Sequence, residues 1–327
     1  MLHLEPLEPR LLLSRYTLTD LGAYAEPVAL NQSGMSVGHA DYLAIDRRAA
    51  WFDEGGPHTL GSDHHGLALA INDDGWATGW KQFTDGGPDH VFLTRIGSRI
   101  DKDLTPDCSV CEANGINNAG QVVGFSYRGG ITDAYRWDWG QAHDLGPGAA
   151  YGINQHGWVV GVWTNGPIAH GALWIDGKLT DLGRLPGYSY GIAFSINDQG
   201  QAVGVSGIVD GMDWEATLWQ NGKILDIGPG RATAINNNGQ VVGWGQYSPP
   251  FLWENGQSQD LNKLVLGING WNMETANSIN DAGQIVGMAS TPEHVPHAVR
   301  LDPAGDAPFW WAGWALGHDK KAPQSGP

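Results

Sequence analysis

The sequence predicts an all-β chain, a seven-bladed β-propeller of four-stranded blades whose last blade is closed by the N-terminal strand. Three observations predict it. A pattern close to A-x-x-I-N-x-x-G-x-x-V-G recurs seven times, with its Asn at 31, 72, 117, 154, 197, 236 and 280. The spacings of 41, 45, 37, 43, 39 and 44 residues suit four short strands per copy, the period of propeller blades. The last copy lacks its fourth strand, while a strand of that type, Tyr16-Thr17-Leu18-Thr19-Asp20-Leu21-Gly22, precedes the first Asn. An open stack of repeats has no reason to divide one unit between its two ends. A ring does.

Each element follows from local chemistry. In the third copy Gly115-Ile116 leads into Asn117-Asn118-Ala119-Gly120, and Gln121-Val122-Val123-Gly124 returns. Such a hairpin needs a residue at positive φ, which Gly adopts without a Cβ clash. The Asn side chain folds onto backbone two residues on and fixes the register. Asn31, Asn72, Asn117, Asn154, Asn197, Asn236 and Asn280 are therefore read as structural turns. A linker then leads to an apolar-aromatic third strand ending in Trp137, Trp174, Trp219 or Trp253. A turn Gly follows at 140, 177, 222 and 256, and then a strand with Asp144-Leu145-Gly146, Asp181-Leu182-Gly183, Asp226-Ile227-Gly228 or Asp260-Leu261-Asn262. Recurrence of Trp at one position is what packing between blades demands, each burial contributing roughly 2–3 kcal/mol. The recurring Asp is read as a tie to neighbouring backbone. The copy around Asp101 and Asp103 is the most degraded.

Composition narrows the function classes. Among 327 residues, 41% are hydrophobic and 16 are Trp, enough to build a core, while 48 Gly argue against a helical bundle. Lys plus Arg is 18 against Asp plus Glu at 35, a net charge of −17. With no basic cluster, nucleic acid is not expected as a partner and anionic membrane surfaces are disfavoured. No apolar run approaches the roughly 20 residues of a membrane helix. No cofactor motif is present, nor a metal site. His64-His65 beside Asp63 is the densest metal-like cluster and is read as a polar turn. Cys108-Ser109-Val110-Cys111 is read as either a short disulfide stapling an exposed loop or two free thiols. The expected organisation is a leader over 1–15, a propeller over 16–305 and a poorly ordered Trp-rich tail over 306–327, in a monomer.

Two resemblances rest on these residues. Leu7-Glu8-Pro9-Arg10-Leu11-Leu12-Leu13-Ser14 resembles the LEPR-XLL motif found near the start of large exported bacterial surface proteins. Over residues 16 to 301 the chain resembles the HAF-repeat family, with the pattern H-A-F-L-W, D-L-G, A-x-x-I-N-x-x-G-x-V-V-G. The His of that pattern stands at His90, His170 and His297 and is replaced by Arg48, Asp133, Glu215 and Pro249, which argues against a shared chemical role. The resemblance implies export to the cell envelope or exterior and a propeller-like fold. It implies no activity.

Function is therefore sought where the copies differ. The Asn turns make one face uniform, whereas the linkers between second and third strands share nothing in sequence, and binding residues favour such variable loops. The candidate binding residues are Tyr42, Phe83, Asp85, Tyr127, Trp163, Asp213, Trp214 and Tyr247, a mixture of rings and acids that suits a sugar. The expected role is a binding module for carbohydrate or a surface protein. The alternative is a carbohydrate-active hydrolase or lyase that uses loop acids such as Asp210 and Asp213. No catalytic motif supports an enzyme.

Overall fold

A computed structural model describes residues 15–304, apart from 41–46, 63, 85, 106, 109, 166–167, 210–212, 267 and 269. The LEPR-type motif, the Trp-rich tail, Tyr42, Asp85 and Asp210 lie outside the described residues. The fold is all-β, and a single 3-10 turn at Leu261–Lys263 is the one helical element among them.

Every copy of the repeat pairs its strands antiparallel in sequence order. The third copy is representative, with Cys111–Ile116, Gln121–Arg128, Ile131–Asp138 and the first half of Gln141–Ile153 side by side. The second half of Gln141–Ile153 becomes the first strand of the fourth copy. Copies three to five thereby share one 11-stranded sheet, while copies one, two and six form separate four-stranded sheets. The sheet of the seventh copy takes its outermost strand from the other end of the chain. Tyr16–Ala23 pairs antiparallel with Pro296–Pro303, from Tyr16 opposite Pro303 to Ala23 opposite His297. First strands of successive copies touch all the way round, including Ser278–Ile279 against Glu26–Leu30.

The repeated Asn does more than shape its own turn. Asn117 Oδ1 accepts from Gln121 N, as expected of a turn residue. Its Nδ2 donates to the main-chain oxygen of Asn154 in the next copy, at 3.2 Å. The same link joins 31 to 72, 72 to 117, 154 to 197, 197 to 236 and 236 to 280, and Asn280 returns to Asn31 at 3.1 Å. A second circuit runs alongside. The backbone N–H of each following residue donates to the side chain of its counterpart in the next copy, through Gln32, Asp73, Asn118, Gln155, Asp198, Asn237 and Asp281 back to Gln32. All seven Asn are at most 4% exposed, so each link is made away from competing water. Asn280→Ala would strand the buried groups it satisfies at the join between the last and first copies. The expected cost is roughly 2–3 kcal/mol, read as a drop in unfolding free energy in urea. A loss below about 0.5 kcal/mol would show that the circuit is ornamental.

The two glycines of the motif are needed for different reasons. The first sits at φ between +74° and +80° in all seven copies. The second is extended, but a Cβ there would collide with an inner-strand carbonyl, such as that of Leu67 for Gly79. Gly75 has open space around it, so Gly75→Ala is expected to cost only about 1 kcal/mol for its φ. Gly79→Ala should cost at least twice that, measured side by side in urea. Equal costs would refute the steric assignment.

Other recurrent residues find structural partners. Asp20, Asp144, Asp181 and Asp226 each accept from the N–H of the Gly two residues on. His90, His170 and His297 pair through Nδ1 with Asp103, Asp181 and Asp20 at 2.7–2.9 Å. These His and Asp residues thus hold two neighbouring outer strands together. Trp137, Trp174 and Trp219 are buried between neighbouring copies. The cysteines add a detail. Cys108 and Cys111 are joined in a disulfide, but it is 4% and 1% exposed and packs into a core with Leu93, Ile116 and Trp137. Apolar neighbours draw the pair inward, while Val110 within the closed loop stays 41% exposed.

Candidate functional site

The innermost strands end at the Asn turns, so their first residues lie at the opposite end of the molecule, beside the varied linkers. In copies one to six these strands carry a register shift just before the Asn. Such a bulge re-aims a side chain. The displaced residues are Val28, Leu69, Asn114, Tyr151, Phe194 and Thr233, each three positions before its Asn, with Asn277 at the matching place in the seventh copy.

A cavity of about 240 Å³ lies where several of these residues converge. It is lined by Glu26 and Val28 of the first copy, Phe194 of the fifth, Arg231, Thr233 and Trp244 of the sixth, and Asn277 of the seventh. Its polar groups are tied to the fold in a defined way. Asn277 Nδ2 donates to Pro27 O at 2.9 Å and to Glu26 Oε1 at 3.3 Å. Thr233 Oγ1 donates to Ala276 O at 2.6 Å. Arg231 holds its guanidinium 3.9 Å over the Trp244 ring and 5.9 Å from that of Trp214. Burial lowers the Arg231 pKa against the pull of Glu26, and raises Glu26 against Asn277, Arg47 and Arg231. His39, 3.7 Å from Glu26, is pushed down to about 4 by burial, with Arg47 adding to the effect.

Two further groups stand on the same inner surface. Burial, reinforced by Asp89, raises Glu112 to about 7. Tyr151, raised by its own burial and by Glu112, meets the Phe194 ring edge-on at 5.6 Å. The Glu112 shift makes a prediction. Between pH 4.5 and 7 the unfolded chain has released a proton that the folded chain retains, so stability falls as pH rises. The loss approaches roughly 3 kcal/mol above pH 7. Glu112→Gln is expected to exceed the parent in stability at pH 8 and to match it at pH 4, by urea unfolding. An equal difference at both pH values would contradict the burial.

None of the described residues named from sequence lines this cavity; Trp214 stands beside it, its ring 5.9 Å from the Arg231 guanidinium and its carbonyl accepting from Gly230 N. Phe83 packs half-buried against a core cluster and beside the His90 ring. Trp163 leans on His170 and a second cluster. Tyr127 and Tyr247 are exposed, 45% and 78%, and Asp213 is exposed beside Trp214. Sequence reasoning missed Glu26, Phe194, Arg231 and Trp244. The available signal was the changing residue three before each Asn, where Val, Leu, Asn, Tyr, Phe and Thr alternate in an otherwise uniform motif. Among the described residues no group of three His, Cys, Asp or Glu could hold a metal, and no helix is long and apolar enough to cross a membrane.

No protein-family model and no curated protein matches this sequence. Solved structures do resemble the fold. TolB from Acinetobacter baumannii aligns with a TM-score of 0.51 at 13% identity, over 84% of this chain and 64% of that one. A putative TolB from Agrobacterium tumefaciens aligns at 0.52 and 12%, over 89% and 99%. A puromycin-hydrolyzing peptidase from Mycobacterium tuberculosis aligns at 0.52 and 12%, over 89% of this chain and 52% of its own length. The chain thus spans less than two thirds of two of these relatives. At such identity the likeness speaks for fold alone, and by fold this chain is similar to the TolB-like β-propellers.

Proposed function

We propose that this chain is an exported, seven-bladed HAF-repeat propeller that serves as a binding module for carbohydrate, with the cavity at Arg231 as its docking point. The observation that carries the reading is the convergence of side chains from four different copies on one cavity, at the end away from the hydrogen-bonded Asn circuits. One end is given over to structure, which leaves the other free to vary. The cavity, at about 240 Å³, is near the small end of ligand sites, roughly 300–1,000 Å³, and suits one sugar ring of a chain. Rings of Phe194 and Trp244 beside the acid and amide of Glu26 and Asn277 match the two surfaces of a sugar. Export is supported by the Cys108–Cys111 disulfide, since such bonds persist in oxidising compartments.

A thermal-shift screen of the full chain against a polysaccharide panel tests the reading. At least one glycan should raise the melting temperature, and Phe194→Ala should remove the rise. A panel with no response would overturn it. A hydrolase or lyase is the second reading, favoured by one cluster. Burial raises Glu215, with Asp226 and Asp213 adding to the shift, and Tyr188 bonds to the same carboxyl. A carboxyl whose pKa is raised by burial suits the role of a general acid. Product released from a bound glycan, and lost in Glu215→Gln, would favour the enzyme.

A further inference from the structure

Arg231 is bound on its faces but not at its edges. The guanidinium is held flat over Trp244, and its buried Nε finds no hydrogen-bond acceptor. Among the described residues it forms no ion pair, and the Glu26 carboxyl nearby accepts instead from Asn277. A guanidinium has five N–H donors in a rigid fork and cannot discharge itself by losing its proton. Leaving the Nε–H of such a group buried and unpaired is costly, more so than for a neutral group. A partner that brings two coplanar acceptor oxygens removes that cost, and a carboxylate does so with bidentate geometry.

The surroundings say what carries the carboxylate. Phe194 and Val28 give the cavity an apolar wall next to the charged fork. Glu26 and the Asn277 amide oxygen supply acceptors, and the Thr233 hydroxyl, which already donates to Ala276 O, can still accept. An apolar face, acceptors for hydroxyl groups and one fork for a carboxylate together describe a pyranose ring bearing a carboxyl group.

We propose that the cavity recognises a uronic acid unit of an acidic glycan, with Arg231 reading the carboxylate. This rests on the carbohydrate-binding reading of the same cavity and adds the chemical class of sugar. The net charge of −17 does not oppose it at short range, because 0.15 M salt screens exposed charges beyond about 8 Å. Glu26 is the nearest opposing charge, so its removal should help an anionic ligand.

The test is titration calorimetry of the full chain with galacturonic acid, its methyl ester, galactose, acetate and a carboxyl-terminated tripeptide. Galacturonic acid is expected to bind at least tenfold more tightly than its ester or galactose, and more tightly than acetate. Arg231→Gln should reduce the acid-to-ester ratio to about one. Arg231→Lys keeps the charge without the fork and should lose most of the ratio, which guards against misfolding of the Gln variant. Glu26→Gln removes the opposing charge and should raise the acid-to-ester affinity ratio several-fold. Equal binding of acid and ester overturns this proposal while the carbohydrate reading stands. A ratio that survives both Arg231 variants also overturns it. No binding of any sugar removes both readings, and tight binding of the tripeptide alone assigns the fork to peptide carboxylates instead.

Discussion

Deleting residues 16–22 is expected to abolish cooperative folding. These residues form most of the strand Tyr16–Ala23, hydrogen-bonded along Pro296–Pro303. They also carry two anchors. Tyr16, 4% exposed, packs with Leu264, Val265, Met273 and Leu301, and Leu21, 1% exposed, packs with Ala50, Phe52 and Ala298. Burial of two such side chains contributes about 3–6 kcal/mol, before the lost ladder is counted. Domain stabilities are commonly about 5–15 kcal/mol, so the deletion removes a large part of the total. It would also leave Pro296–Pro303 as an unpaired edge open to other chains. Circular dichroism across a urea gradient should show a broad or absent transition, with aggregation in sizing columns. A sharp transition at the parent midpoint would mean that the N-terminal strand is dispensable and the ring is held elsewhere.

Asp101→Ala is expected to cost roughly 3–5 kcal/mol. Lys81 is wholly buried and its Nζ donates to Leu60 O at 2.8 Å, Ser62 O at 3.0 Å and Asp101 Oδ2 at 3.1 Å. Asp101, with a side chain 2% exposed, also accepts from Ser62 N at 2.8 Å and from the Ser62 hydroxyl. Removing the carboxylate takes the Asp101 charge from an ammonium held in the interior, which is more damaging than losing the pair together. The double variant Lys81→Met with Asp101→Asn should therefore recover a substantial part of the loss. Unfolding free energies in urea decide the matter. If Asp101→Ala loses less than about 1 kcal/mol, the charge is being neutralised by other means. The pair also explains why the second copy reads as degraded. There Asp103 takes the recurrent Asp position, bonded to His90 and to Thr105 N, while Asp101 is committed to Lys81.

Much of the fold was legible in the sequence because each signal is local or countable. Positive φ at Gly120 follows from a four-residue turn, and the spare strand at Tyr16–Gly22 follows from counting strands per copy. The Asp-Leu-Gly ties span two residues. Even so, the second circuit escaped notice, although every residue after the repeated Asn is Asp, Asn or Gln. Seven acceptors in one column are a sign that something donates to them. The third strands also turn on two residues at positive φ, such as Trp139 and Gly140, where the motif pointed only to the Gly.

The candidate site was hardly legible at all. Linker aromatics such as Phe83 and Trp163 look available in a string of letters, yet the fold uses them as packing. Glu26, Phe194, Arg231 and Asn277 sit inside the repeated strands, where they pass for core or filler. By itself the sequence determined the unit, its turns and the borrowing of a strand between the two ends, since these depend on φ, short-range hydrogen bonds and strand count. Only the tertiary structure decided which side chains meet. Burial, the buried Lys81–Asp101 pair and the Arg231 cavity depend on distances between residues as far apart as Glu26 and Asn277, and no local rule carries those distances.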